Sequence, residues 1–244
     1  MVTPPGAPRT GRGTADLHVH TCYSDGRPTP RQVLAHVRAM GQIQVIAITD
    51  HDTIAGAVKA AALAPDFDVA VIVGEEVSSV DGHVLGLFLR ERVPPNLSAE
   101  DTIRAIHEQG GLAVAPHPFY RPLRPQGPPG RPAMESVGTL AETLPFDAVE
   151  VVNGTPFLGE ANRRAQCRNR GTTRRAEVGA SDGHILAAIG KGYTRFPGRT
   201  AEDVRRAILY CRTVAWSRPY SVSNLAVYAR FWLGLSLERG GPAW

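Results

Sequence analysis

A chain of 244 residues, 43% hydrophobic and 20% charged, is ordinary globular material and long enough to bury a core without staples. Collagen-like, low-complexity and intrinsically disordered classes are excluded for its bulk. A formal charge of +4 falls short of a dedicated DNA-binding stripe, and no apolar run approaches the roughly 18 residues of a membrane span.

Residues 1–14, rich in Pro, Gly, Thr and Arg, lack the apolar stretch of a signal peptide and read as a flexible tail before a cytoplasmic domain over 15–244. A buried strand is expected at 15–20. Within it Asp16-Leu17-His18-Val19-His20 puts His18 and His20 two apart, on one face, where both can hold one metal ion. Ser24-Asp25-Gly26 is a turn that returns a carboxylate to the strand end. A helix is expected over 30–40, with Val33, Leu34 and Val37 at helical spacing and Gly41 beyond them. The apolar run 45–49 leads into Asp50, His51 and Asp52, with Asp52 as the N-cap of a helix over 53–63. A strand at 69–73 ends before Glu75 and Glu76. Asp81-Gly82 is a hairpin signal, so the run 84–89 should double back and set His83 beside the end of the outgoing strand. A helix over 98–109 precedes a strand at 112–115, and His117 follows directly.

Residues 116–132 contain seven of the chain's 20 prolines and read as a loop over the site. A strand at 148–152 ends at Asn153, a candidate hydrogen-bonding group for substrate or a turn former. Arg163, Arg164, Arg168, Arg170, Arg174 and Arg175 read as a solvated helix face and its end, with an RNA-binding edge as the rival. A strand at 177–180 ends before Ser181-Asp182-Gly183-His184. Helices are expected at 200–210, with Thr200 as N-cap, and at 223–237.

Strand–helix alternation implies a mostly parallel sheet, either a closed or nearly closed barrel or an open doubly wound sheet. Ligands of both bind beyond the carboxyl ends of the strands. Six of the eight histidines fall there, whereas His36 and His107 lie inside helices. Mixed imidazole and carboxylate donors suit Zn, Mn or Fe(II). Cys22, Cys167 and Cys211 show no C-x-x-C spacing, so thiolate metal sites and disulfide frameworks are not indicated.

With these motifs in order (D-L-H-V-H at 16–20, S-D-G at 24–26, T-D-H-D at 49–52, G-E-E-V-S at 74–78, A-P-H-P at 115–118 and S-D-G-H at 181–184), the sequence resembles the PHP (polymerase and histidinol phosphatase) family of metal-dependent phosphoesterases. The resemblance implies a single-domain α/β fold, a distorted seven-stranded TIM-like (β/α)7 barrel. It also implies up to three divalent metals: one on His18, His20, Glu76 and Asp182, a second sharing Glu76 with His83 and His117, and a third on Asp25, His51 and His184. The family pattern G-x-E-[IV]-S selects Glu76 over Glu75. The implied reaction is hydrolysis of a small phosphorylated metabolite or nucleotide by metal-bound hydroxide, with the ligands, His51, His117 and Asp182 among them, as the catalytic apparatus and Asp50 orienting one of them. Only 33 residues separate His83 and His117, too few for the long insertion that some members carry. Tyr120, Arg121 and Arg124 are candidate substrate contacts in its place. The competing readings are a nuclease or nucleic-acid-binding module, with short RNA as partner, and an amidohydrolase-type hydrolase. Neither Lys59, in a helix, nor Lys191, beyond Asp182, suits the bridging lysine of the latter.

Overall fold

A computed structural model of the chain describes residues 12–120 and 136–234. Among these, nine strands, β1 (Arg12–Asp16), β2 (Val45–Ile48), β3 (Ala70–Ser79), β4 (Gly82–Leu87), β5 (Leu112–Ala115), β6 (Ala148–Asn153), β7 (Ala176–Ala180), β8 (Gly192–Pro197) and β9 (Val214–Ser217), form one sheet in the order β7-β6-β5-β4-β3-β2-β1-β8-β9. The helices are α1 (Pro30–Met40), α2 (Ala55–Leu63), α3 (Ala99–Glu108), α4 (Leu140–Thr143), α5 (Gly159–Gly171), α6 (Ala201–Leu209) and α7 (Val222–Trp232).

The architecture corrects the seven-stranded expectation. Pairings β1–β2, β2–β3, β5–β6 and β6–β7 are parallel, as strand–helix alternation demands. The hairpin β3–β4, the β4–β5 pair and the additions β8 and β9 are antiparallel. The sheet curls until its ends nearly meet. Beyond β1, Val19 bridges Gly183 beyond β7 in parallel, and the His20 N–H donates to the Gly183 carbonyl at 3.1 Å. Lower down, the Thr194 hydroxyl of β8 accepts from the Gly179 N–H at 2.9 Å and donates to the Gly179 carbonyl at 2.8 Å. Glycines make that approach possible: a Cβ on Gly192 would lie 1.9 Å from the Ala180 carbonyl oxygen, and one on Gly179 2.6 Å from that of Tyr193.

The strand β1 begins at Arg12, so residues 12–14 of the expected tail pair with β8 instead. It ends at Asp16, and His18 and His20 stand on an extended segment past it. β2 is buried throughout, the mark of a strand covered on both faces. α1 turns Val33, Leu34 and Val37 inward and starts at a capping box. The Thr29 hydroxyl accepts from the Gln32 N–H at 3.3 Å, and the Gln32 side chain accepts from the Thr29 N–H at 2.9 Å. Thr29→Ala is expected to lower stability by about 1 kcal/mol, read from denaturant midpoints at unchanged m-value.

The helix after His51 differs from expectation. It is capped by Ile54 without a side-chain bond, because the Asp52 carboxylate accepts from the Ser78 N–H at 2.8 Å. The helix expected at 223–237 is α7, and residues 235–237 lie outside the described residues. So does most of the Pro-rich segment, with Arg121 and Arg124. The three cysteines are free and exposed.

Candidate metal centre

At the carboxyl end of the barrel, six histidines, two aspartates and a glutamate converge. Three local devices bring them there. The segment beyond β1 stays extended, so His18 and His20 share a face, with their Nε2 atoms 3.0 Å apart. The β3–β4 hairpin turns at Val80 and Asp81, and its register sets Ser78 opposite His83. His83 Nδ1 thereby reaches Glu76 Oε1 at 3.0 Å. Strand alternation separates the two neighbouring glutamates. Glu76 faces the cluster, while Glu75 turns away, accepts from the Val93 N–H at 2.8 Å and is pushed up to about 7 by burial.

Glu76 is the hub. Its Oε2 lies 3.1 Å from His18 Nε2, 3.2 Å from His20 Nε2 and 3.4 Å from His51 Nδ1. Its Oε1 lies 3.1 Å from His117 Nε2. Asp182 Oδ1 stands 3.5 Å from His18 Nε2 and 3.3 Å from His20 Nε2. At the outer corner, Asp25 Oδ2 lies 3.1 Å from His184 Nε2 and 3.8 Å from His51 Nε2. His184 Nδ1 donates to the Asp182 carbonyl at 3.0 Å, which leaves its Nε2 as a lone-pair donor.

The donor set fits divalent cations. Four ligand atoms about 2.0–2.1 Å from a tetrahedral zinc-class ion are about 3.3–3.4 Å from one another. The distances among His18, His20, Glu76 and Asp182 given above run from 3.0 to 3.5 Å. Two imidazole nitrogens at 3.0 Å, each also facing two carboxylates, need positive charge between them, supplied by protons or by a cation. Burial alone lowers His18 and His20, but Glu76 and Asp182 more than reverse it, holding His18 well above its ordinary value and His20 at about 10. Burial raises Glu76, yet the charges of His18, His51 and His83 hold it well below the usual carboxylate range. His51 is driven down to about 4, first by burial and then by its histidine neighbours.

Further groups of three or four donors lie within 4.8 Å of one another: His18 with Glu76 and His117, His51 with Glu76 and His83, and His20 with Asp25, His51 and His184. All nine ligands expected from the sequence therefore lie in one cluster, and His18, His20, His51 and Glu76 each belong to two groups.

Asp50 acts on the turn before Asp25 rather than on His51. Its oxygens accept from the Thr21 N–H and hydroxyl, both at 2.7 Å, and from the Ser24 hydroxyl at 2.7 Å, so it fixes the turn that carries Asp25. The Asn153 amide donates to Glu150 and Asp182, each at 3.2 Å. Tyr120 stands edge-on to His117, with ring centroids 6.0 Å apart. Two arginines of the run are ion-paired, Arg168 with Glu142 and Arg170 with Glu177, while Arg164 lies over Phe119 and Arg175 donates to the Ala141 carbonyl. His107 pairs with Asp147 at 2.8 Å, away from the cluster.

Sequence reasoning missed two buried carboxylates. Glu150 on β6 has Oε1 3.5 Å from His18 Nδ1, while its Oε2 accepts from the His117 N–H at 2.6 Å. Asp16 accepts from the Ser181 N–H at 2.9 Å and the Gly190 N–H at 2.8 Å, bracketing the loop with Asp182 and His184. Each stands within an apolar run, and a carboxylate there needs a partner.

Comparison with known proteins agrees with this geometry. The model of the PHP domain matches residues 16–121, and that of the PHP-associated region matches 159–213. An uncharacterized Methanocaldococcus jannaschii protein, MJ1587, is 41% identical over 162 residues, covering 62% of this chain and 88% of that one. A phosphoribosyl 1,2-cyclic phosphate 1,2-diphosphodiesterase of Eggerthella lenta is 41% identical over 85 residues, 32% of each chain. The crystal structure of a two-domain Bacteroides vulgatus protein containing a predicted PHP-like metal-dependent phosphoesterase superposes with a TM-score of 0.65 at 19% identity, covering 89% of this chain and 68% of that one.

Proposed function

The chain belongs to the PHP domain family, and on that premise we propose that it is a metal-dependent hydrolase of phosphoesters, acting on a small phosphorylated metabolite or nucleotide at a centre of two or three divalent ions. The observation that carries this reading is Glu76, a fully buried carboxylate whose two oxygens face five imidazoles. Ions of the Zn, Mn or Fe(II) class held there would neutralise phosphate oxygens and lower the pKa of a water towards about 7.

The chain's own residues supply the rest. His18, His20, Glu76 and Asp182 form the deepest donor group; Glu76, His83 and His117 flank it; Asp25, His51 and His184 form the open corner, where Asp25 is 56% and His51 27% exposed. Substrate enters from that corner. Glu150 and Asn153 hold His18, His117 and Asp182 in place from behind. No cysteine or serine needs to act as a nucleophile. An amidohydrolase with a bridging lysine is not favoured, because the Lys191 ammonium donates to the Pro219 carbonyl at 3.0 Å and rests over Tyr220. An RNA-binding edge on α5 is weakened by the carboxylate partners of Arg168 and Arg170. No helix among the described residues is long and apolar enough to cross a membrane.

The test is a phosphoester panel (nucleoside monophosphates, 3′,5′-bisphosphates, sugar phosphates and short RNA) set against amides and lactones. Chelation is expected to abolish phosphoester cleavage, and added Mn²⁺ or Zn²⁺ to restore it. A protein loaded with either metal that cleaves no phosphoester would overturn the reading.

A further inference from the structure

Arg27 stands two residues past Asp25, at the open corner of the cluster. Its backbone N–H donates to the His184 carbonyl at 2.8 Å, which pins its Cα beside a candidate ligand. Its guanidinium carbon lies 5.6 Å from the centroid of the Phe231 ring on α7, and that ring lies 6.2 Å from the His184 ring. Other arginines, Arg38, Arg104, Arg168 and Arg170 among them, hold carboxylates, but among the described residues Arg27 pairs with none. An exposed guanidinium laid on an aromatic face keeps its planar donor fork presented outward. That fork matches two oxygens of one phosphate.

The platform beneath it is anchored. α7 begins at Ser221, whose hydroxyl accepts from the Asn224 N–H, and buries Tyr228 against Ile185 and Ala188 of the loop that follows His184. α7 also lies beyond both stretches that the family models match, 16–121 and 159–213.

We propose that Arg27, steadied on Phe231, is a substrate-binding residue that grips phosphate oxygens at the mouth of the metal centre, so that α7 is a wall of the site. The proposal rests on the phosphoesterase reading. The gripped group is either the phosphate being cleaved or a second phosphate on the same substrate; the recognising chemistry is the same.

The experiment uses the full chain loaded with Mn²⁺, adenosine monophosphate and adenosine 3′,5′-bisphosphate as substrates, and inorganic phosphate as a calorimetric ligand. Arg27→Met is expected to raise KM about tenfold or more for the bisphosphate, with kcat little changed, because a charge-assisted hydrogen bond is lost. An equal rise for the monophosphate, with weaker binding of inorganic phosphate, assigns the grip to the scissile group. A rise for the bisphosphate alone assigns it to the second phosphate. Phe231→Leu should raise KM several-fold alone and add nothing in the Arg27→Met background. Metal content and melting temperature should stay at the parent values in both variants. Unchanged KM for both substrates together with unchanged phosphate affinity would overturn the role of Arg27. A Phe231→Leu effect that persists undiminished beside Arg27→Met would overturn the steadying contact. If the parent protein cleaves neither these nor any other phosphoester of the panel, the phosphoesterase reading fails, while calorimetry with inorganic phosphate still reports on Arg27.

Discussion

Glu76→Ala is expected to lower phosphoester cleavage by well over a hundredfold, since loss of a partner merely behind a ligand already costs about 10–100-fold. Metal stoichiometry should fall with it, because both carboxylate oxygens face candidate ligands of different ions. Elemental analysis of the purified variant checks this, and full metal content would remove Glu76 from the ligand set.

The same substitution has a pH signature in the metal-free protein. His20 is raised from 6.5 to about 10 and Glu76 is held below 4.5. The stability contributed by the histidine is complete below about pH 6.5 and is lost as the pH climbs towards 10. The stability contributed by the glutamate is present above 4.5 and is lost as its own lowered value is approached from above. The two overlap between roughly pH 4.5 and 6.5. Glu76→Ala should therefore destabilise most in that window, by about 3–5 kcal/mol as for other broken buried pairs, and progressively less in alkali. Chemical denaturation at pH 5.5 and pH 9, with chelator present, measures the difference.

Glu150→Gln is the second variant with a large expected effect. Its Oε1 backs the Nδ1 of His18 at 3.5 Å, and its Oε2 holds the backbone of His117. The amide is nearly the same shape and keeps an acceptor, but it removes the negative charge behind the ring. Imidazole basicity should fall and metal affinity with it, by about 10–100-fold. Activity should return when metal is supplied in excess. Competition titration with a chromophoric chelator reads the affinity directly. If Glu150 merely fills space, the melting temperature will move and the metal affinity will not.

The candidate ligands were legible because most stand at or just past a strand end and carry a side chain that rarely occurs there without a partner. The parallel core strands were legible as unbroken apolar runs, β2 and β5 above all. Most of the chain between 186 and 217 was not. β8 reads Gly-Tyr-Thr-Arg-Phe-Pro, with glycine, arginine and proline breaking any period, and β9 is four residues long and mostly exposed. Those strands exist because of what they pair with, which local pattern does not encode. Asp52 misled for a related reason: a good capping residue was claimed by the Ser78 amide across the sheet. Asp50 and Asn153 sit at the rim as expected, and their polar atoms are engaged by neighbours, the turn that carries Asp25 and the carboxylates Glu150 and Asp182. Residue type and position reveal that a group is near a site, but not which of several competing partners wins it.

Asp16 has a consequence for how the molecule assembles. Its two oxygens join positions 165 and 174 residues further along the chain. Contacts of such separation form late and slowly, because nearly the whole chain must already be arranged before they gain anything. The candidate metal centre straddles that same junction, with His18 and His20 on one side and Asp182 and His184 on the other. A nascent or partly folded chain would thus present its histidines as separate weak chelators, and only the finished barrel would gather them. Refolding should show recovery of secondary structure before recovery of tight metal binding, so that competence for chemistry doubles as a report of completed folding.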